Sequence, residues 1–100
     1  MVIEVNESNF DDIVLKKSKV LVDFNATWCG PCRMLKPILD EYSKKTNIKI
    51  CSVDVDTNEK LAKNYGIYSI PCLILFENGV EKKRNVGLIG EEELKEFLGE

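Results

Sequence analysis

Histidine is absent from these 100 residues. That removes the side chain that titrates nearest neutrality, the usual general base and the commonest zinc ligand. No stretch approaches the roughly 20 apolar residues that cross a bilayer as a helix. There is no basic excess either: 14 Lys and Arg stand against 17 Asp and Glu, for a net charge of -3. Phosphate binding wants a basic stripe, so no nucleic-acid partner is expected. The opening residues, Met1-Val2-Ile3-Glu4-Val5-Asn6-Glu7, form neither a basic-then-apolar signal nor an Arg-rich presequence. A cytoplasmic location, no membrane partner and a complete chain are therefore expected. Linkers, repeats and low-complexity tracts are also missing, and the length suits one domain over residues 1–100.

What is present is cysteine, four of them, two within Trp28-Cys29-Gly30-Pro31-Cys32. In a reducing compartment these are not expected to be structural staples. Two cysteines two residues apart can close into a disulfide with each other and reopen, which makes a reversible two-electron carrier. The thiolate, not the thiol, attacks disulfides. Cys29 is expected just ahead of a helix, facing its unsatisfied N–H groups and the positive end of its dipole, which favours the anion. Cys32, inside the first turn, is expected to be better shielded. The division of labour that follows has Cys29 attack a substrate disulfide and Cys32 attack Cys29 to release the reduced product. Gly30 and Pro31 set the turn between them, and Arg33 lends positive charge nearby.

The surrounding pattern alternates strands and helices. Ile3 to Val5 reads as a short strand. Ser8 opens a helix that carries Phe10, Ile13 and Val14 inward. Val20 to Asn25 reads as a buried strand, nearly all apolar. A helix from about Cys32 to about Lys45 buries Leu35, Ile38, Leu39 and Tyr42, with Pro31 in its first turn and a kink expected at Pro37. Ile48 to Asp54 is the next strand. Asp56 and Glu59 resemble a capping box that starts a short helix ending at Gly66. Cys72 to Phe76 is a strand, and Asn78-Gly79 marks a hairpin to Val80 through Val86. Glu91 to Leu98 closes the chain as a helix. The fold class expected is α/β, with a central mixed sheet, parallel strands plus an antiparallel hairpin, and helices on both faces. The cysteine motif falls at the C-terminal end of a strand, where ligands bind in open α/β sheets.

Three further positions draw notice. Asp23 is the only charge in Val20 to Phe24. It is either a buried carboxylate with a raised pKa that takes a proton from Cys32, or a strand-end residue pointing into water. Ile70-Pro71 precedes a strand and marks either a simple boundary or a cis turn. Cys51 reads as a small buried hydrophobe. Cys72 reads either the same way or as a third thiol open to oxidation.

Taken in order, Val22-Asp23-Phe24, Trp28-Cys29-Gly30-Pro31-Cys32, Pro37-Ile38-Leu39, Ile70-Pro71, Asn78-Gly79 and Val86-Gly87 make the chain resemble the thioredoxin family along nearly its whole length. The resemblance implies a thioredoxin-like fold and a disulfide reductase of broad protein substrate range. It implies recharging by an NADPH-dependent flavoprotein, a thioredoxin reductase, with no bound cofactor and a monomeric state. It implies Cys29 as nucleophile, Cys32 as resolving thiol, a redox-active Cys29–Cys32 disulfide and Asp23 as buried proton acceptor. Pro71 is then expected to be cis. Trp28, Gly30, Pro31, Val55, Ile70, Pro71, Val86 and Gly87 are the expected substrate-docking surface, with Ile70 offering backbone groups to an extended substrate.

Four positions depart from the family pattern. Asn25 stands where an aromatic residue is usual, Ser52 where a buried lysine often faces the aspartate, Ser69 in place of a common glycine, and Cys72 in place of a small polar residue. Without that ammonium, Asp23 should be harder to ionise. Cys72 is expected near the Cys29–Cys32 pair.

Three rivals share the sequence. A four-cysteine zinc module is disfavoured because only one CxxC exists and Cys51 and Cys72 lie singly in strands. A thiol oxidase or isomerase is disfavoured by Gly-Pro between the cysteines. A redox-silent binding subunit leaves the intact pair without a use. Lys16-Lys17, Lys44-Lys45 and Lys82-Lys83-Arg84 read as solvated faces. Met34 reads as packing, and Asp54 and Asp56 lack the further ligands of a calcium loop.

Overall fold

A computed structural model describes residues 1–100. The strands are β1 (Val2–Glu4), β2 (Lys19–Asn25), β3 (Lys49–Asp54), β4 (Cys72–Glu77) and β5 (Val80–Val86), and the helices are α1 (Gly30–Ser43), α2 (Glu59–Asn64) and α3 (Glu91–Phe97). One sheet contains all five strands in the order β1-β3-β2-β4-β5. β1, β3 and β2 run parallel, while β4 is antiparallel to β2 and β5 antiparallel to β4. The central strand β2 is thus flanked on both edges, which suits its almost unbroken apolar run.

Alternation along β2 divides the core in two. Val20, Val22 and Phe24 join one buried cluster with Phe10, Val14, Leu61 and Phe76. Leu21 joins the other, with Leu35 and Leu39 of α1 and Leu94 and Leu98 at α3. Each face is covered by a different set of helices, as the sequence predicts. Full burial of each large apolar side chain stabilises by about 1.5–3 kcal/mol. Asp23 follows Leu21 by two residues, so it faces the α1 side. No helix is long and apolar enough to cross a membrane.

Three boundaries differ from expectation. The first helical segment is a π-helical turn, Asp11–Leu15, rather than an α-helix from Ser8. It is preceded by a cap built on Asn6, whose Oδ1 accepts from the backbone of Ser8 and Asn9 and from the Ser8 hydroxyl. Phe10 and Val14 still turn inward. α1 begins at Gly30, because Cys29 already serves as its N-cap. α2 begins at Glu59 with Asn58 at the N-cap position, and the expected Asp56 capping box does not form. The Asp56 carboxylate is engaged instead by Trp28.

The hairpin after β4 is as expected. Asn78 and Gly79 both have positive φ, 53° and 80°, the geometry of the tight turn that matches strand twist. Gly79 is also required by space: a Cβ there would lie 2.6 Å from the Leu15 carbonyl oxygen. Asn78 N–H donates to the Ser18 carbonyl, which pins the hairpin tip to the start of β2.

Candidate active site

The end of β2 and the start of α1 place the cysteine pair. Ala26 to Trp28 turn the chain, and Cys29 takes an extended conformation (φ -85°, ψ 115°) as the α1 N-cap. Its Sγ accepts from the backbone N–H of Cys32 at 3.2 Å. An N-cap side chain normally offers oxygen to that donor; here sulfur does so. Pro31 in the first turn needs no N–H partner. Cys29 and Cys32 are joined by a disulfide with Cα atoms 5.2 Å apart. Their exposures are 5% and 4%, so the greater shielding expected of Cys32 is not seen in the bridged form. Arg33 is turned back onto the Thr27 carbonyl, where it braces the loop leading into the motif.

A small apolar patch surrounds the pair. Ala26 packs with both cysteines, and Val55 and Ile70 pack against them. The Ile70-Pro71 peptide bond is cis, and the Ile70 carbonyl oxygen lies 3.9 Å from Cys29 Sγ. Gly87 N–H donates to the Pro71 carbonyl at 2.8 Å, and Val86 pairs with Cys72 across β4 and β5. Trp28 is 66% exposed and Val86 58%. The Trp28 indole N–H donates to Asp56 Oδ2 at 2.8 Å, which holds the exposed ring. Gly30 and Pro31 lie at the surface beside the bridge. The positions expected to form a docking surface therefore come from four separate segments, the motif, the end of β3, the cis-proline loop and the end of β5.

Asp23 is buried, 4% exposed, so it does not point into water. It lines a cleft of about 690 Å³ together with Cys32, Asn25, Ser52, Lys36 and Asp40. Burial pushes its pKa up to about 7, opposed by a hydrogen bond from Asn25 and assisted by the negative charge of Glu4. Asn25 Nδ2 lies 3.3 Å from Asp23 Oδ2 and 2.8 Å from Ser52 Oγ. The expectation that Asp23 is hard to ionise agrees with this environment. Ser52 lies beside Asp23 as the resemblance implies; what the sequence reading missed is that Asn25 bridges the two. The signal was there: Asn25 is two residues from Asp23 on the same strand, hence on the same face.

Cys51 and Cys72 are free and buried. Both belong to the cluster on the other face of the sheet, and Ile70, not Cys72, packs against the pair. Burial raises the Cys51 thiol to about 11 and raises the Cys72 thiol too.

Comparison with known proteins decides what this arrangement is. The family model for thioredoxin matches residues 1–100. The chain belongs to the thioredoxin family. The thioredoxin of Mycobacterium tuberculosis is 45% identical over 101 residues, covering 98% of this chain and 87% of that protein. The bifunctional thioredoxin reductase/thioredoxin of Mycobacterium leprae is 43% identical over 98% of this chain but only 22% of its own length. Among solved structures, a mutant thioredoxin from Halobacterium salinarum superposes with a TM-score of 0.91 at 37% identity, covering 97% of this chain and 87% of that one. Thioredoxins are protein disulfide oxidoreductases, and the bridged Cys29–Cys32 pair is the dithiol–disulfide couple of this member.

Proposed function

We propose that residues 1–100 act as a single thioredoxin domain and as a general reductase of protein disulfides. In the reduced protein, Cys29 attacks one sulfur of a substrate disulfide. A Cys29–substrate S–S bond forms and the first substrate thiolate leaves. Cys32 gives its proton to Asp23 and attacks Cys29 Sγ. The Cys29–Cys32 bond forms, the mixed disulfide breaks, and the second substrate thiolate departs. Each substrate thiolate takes up a proton, and two electrons pass from the Cys29–Cys32 dithiol to the substrate.

The observation that carries this reading is the Cys32 N–H aimed at Cys29 Sγ at the head of a 14-residue helix. A donor and a helix N-terminus directed at one sulfur favour its anion. Asp23 fits the acceptor role because a carboxyl titrating near neutrality is matched to proton exchange with a thiol. Trp28, Gly30, Pro31, Val55, Ile70, Pro71, Val86 and Gly87 receive the substrate around the bridge, with the Ile70 backbone available to an extended chain. The oxidised form is recharged by a thioredoxin reductase, an NADPH-dependent flavoprotein. One relative, the Mycobacterium leprae protein, carries both names in one chain. The chain works as a monomer in the cytoplasm.

The test is insulin disulfide reduction with dithiothreitol, comparing the natural chain with Cys29→Ser. Loss of activity in the variant supports the assignment, and equal activity in the two overturns it.

A further inference from the structure

The two carboxyl oxygens of Asp23 differ in their surroundings. Oδ2 receives the Asn25 amide. Oδ1 is buried and has no hydrogen-bond partner in the protein. The amide's two hydrogens serve three acceptors: one points to Ser52 Oγ at 2.8 Å, and the other is shared between the Asp23 carbonyl oxygen at 3.0 Å and Asp23 Oδ2 at 3.3 Å. A backbone carbonyl oxygen can only accept, so the amide nitrogen, not its oxygen, must face this side. Strand geometry produces the set: Asn25 shares a face of β2 with Asp23, and Ser52 on β3 is in register with Asp23.

A carboxyl that receives an N–H on one oxygen favours its own proton on the other, because the carbonyl oxygen is a better acceptor than the protonated hydroxyl oxygen. We infer that Asn25, seated on Ser52, is a positioning residue that holds Asp23 so that Oδ1 alone exchanges protons with Cys32 and with the cleft. The inference rests on the reading of Asp23 as proton acceptor. In each turnover Oδ1 takes the Cys32 S–H proton as Cys32 attacks Cys29, and later releases it to solvent through the cleft. The Asn25 amide and the Ser52 hydroxyl are neutral, and they bias the carboxyl far less than an ammonium in that place would.

Other charged and titratable groups also face Asp23. These are Glu4 of β1, Asp54 of β3, and Cys32, Arg33, Lys36 and Asp40 of α1, which line the same cleft; Cys72 of β4 lies on the opposite face of the sheet, within reach of the Asp23 charge but not in the cleft. Glu4 acts to keep Asp23 protonated. The Asn25 hydrogen bond acts the other way, which makes its removal readable.

Asn25→Leu removes the donor at similar size, and Ser52→Ala removes the amide's anchor. The Asp23 carboxyl is followed by carbon NMR of the oxidised protein labelled at aspartate. The rate of single-turnover insulin reduction by the prereduced protein is followed against pH. In Asn25→Leu the Asp23 midpoint should rise by about half to one pH unit, the scale of one hydrogen bond to a charged group weakened by its length. The acid limb of the rate profile should move with it. Ser52→Ala should shift both in the same direction by less, and it carries the test if Asn25→Leu does not fold. An unmoved Asp23 midpoint in the folded variant overturns the inference, whatever the rate does. A midpoint that moves while the profile stays fixed, with Asp23→Asn reducing insulin at the natural rate, overturns the acceptor reading and the positioning role with it.

Discussion

The backbone N–H of Cys32 donates to Cys29 Sγ at 3.2 Å, so one motif residue caps the helix that begins with the next. The two cysteines are nearly equal in exposure in the bridged form, so what distinguishes them there is this donor and the helix terminus. In the reduced protein near neutral pH, iodoacetamide should therefore modify Cys29 about tenfold or more faster than free cysteine, with Cys32 lagging. Mass spectrometry of peptides from a timed quench reads both sites. Equal rates at Cys29 and in free cysteine would remove the basis for the attack step.

Burial makes Asp23 a source of pH-dependent stability. Its folded pKa, about 7, lies above the ordinary 3.8. Below about pH 4 the carboxyl is protonated in both states and imposes no penalty. Between the two values the folded state holds a proton that the unfolded chain has lost, so stability falls as pH rises, and the loss is complete above the folded pKa. The span corresponds to at most about 4 kcal/mol, an upper bound. Asp23→Asn should therefore raise urea stability markedly at about pH 8 and little at about pH 4. A variant with the same gain at both pH values would show that Asp23 does not carry the proton.

Much of this was legible in the chain. The order of strands and helices follows from the change between two-residue and 3.6-residue periodicity, and Asn78-Gly79 marks its own turn. The motif also announces its place at a strand end. What was hidden depends on contacts remote in sequence. Asp56 reads locally as a helix cap, but the indole of Trp28, 28 positions away, takes its carboxylate. Ser52 reads as a missing ammonium until β3 is laid in register beside β2, when it becomes the seat of Asn25. The identity of Cys72 gives no hint of which face of the sheet it will occupy, and a one-residue change of register would have reversed it.

The Trp28–Asp56 bond offers a separate test of the docking surface. It orders a ring that is otherwise exposed. Asp56→Ala should leave global stability within about 1 kcal/mol, because the bond is at the surface. The ordering cost then falls on substrate capture, at about 0.5–1.5 kcal/mol for an immobilised side chain, so KM for insulin should rise several-fold with kcat little changed. Steady-state kinetics with excess reductant separate the two constants. An unchanged KM would place the indole outside the substrate path.

The remaining thiols should be silent until the chain unfolds. Cys51 and Cys72 are buried among apolar side chains, and burial raises both thiol pKa values. With the Cys29–Cys32 bridge intact, a chromogenic disulfide reagent should find almost no thiol in the native protein. Both free thiols should react after denaturation in guanidinium. Rapid native labelling at Cys72 would instead favour a redox-sensitive third thiol, and Cys72→Thr would then be expected to lower inactivation by peroxide.

Gly79 tests the fold away from the chemistry. Its φ of 80° belongs to the left-handed region, and an added Cβ would meet the Leu15 carbonyl oxygen at 2.6 Å. The obstacle is backbone, which cannot swing aside as a side-chain end can. Gly79→Ala should therefore destabilise the protein by roughly 1–3 kcal/mol, the scale of a strained backbone position. The hairpin tip is also tied to Ser18 through Asn78, so relief by shifting the turn would disturb the start of β2. Insulin reduction under native conditions should be unaffected, because the tip joins the other ends of β4 and β5 from those beside the bridge. Urea unfolding gives the stability, and a variant as stable as the natural chain would show that the helical turn carrying Leu15 yields without cost.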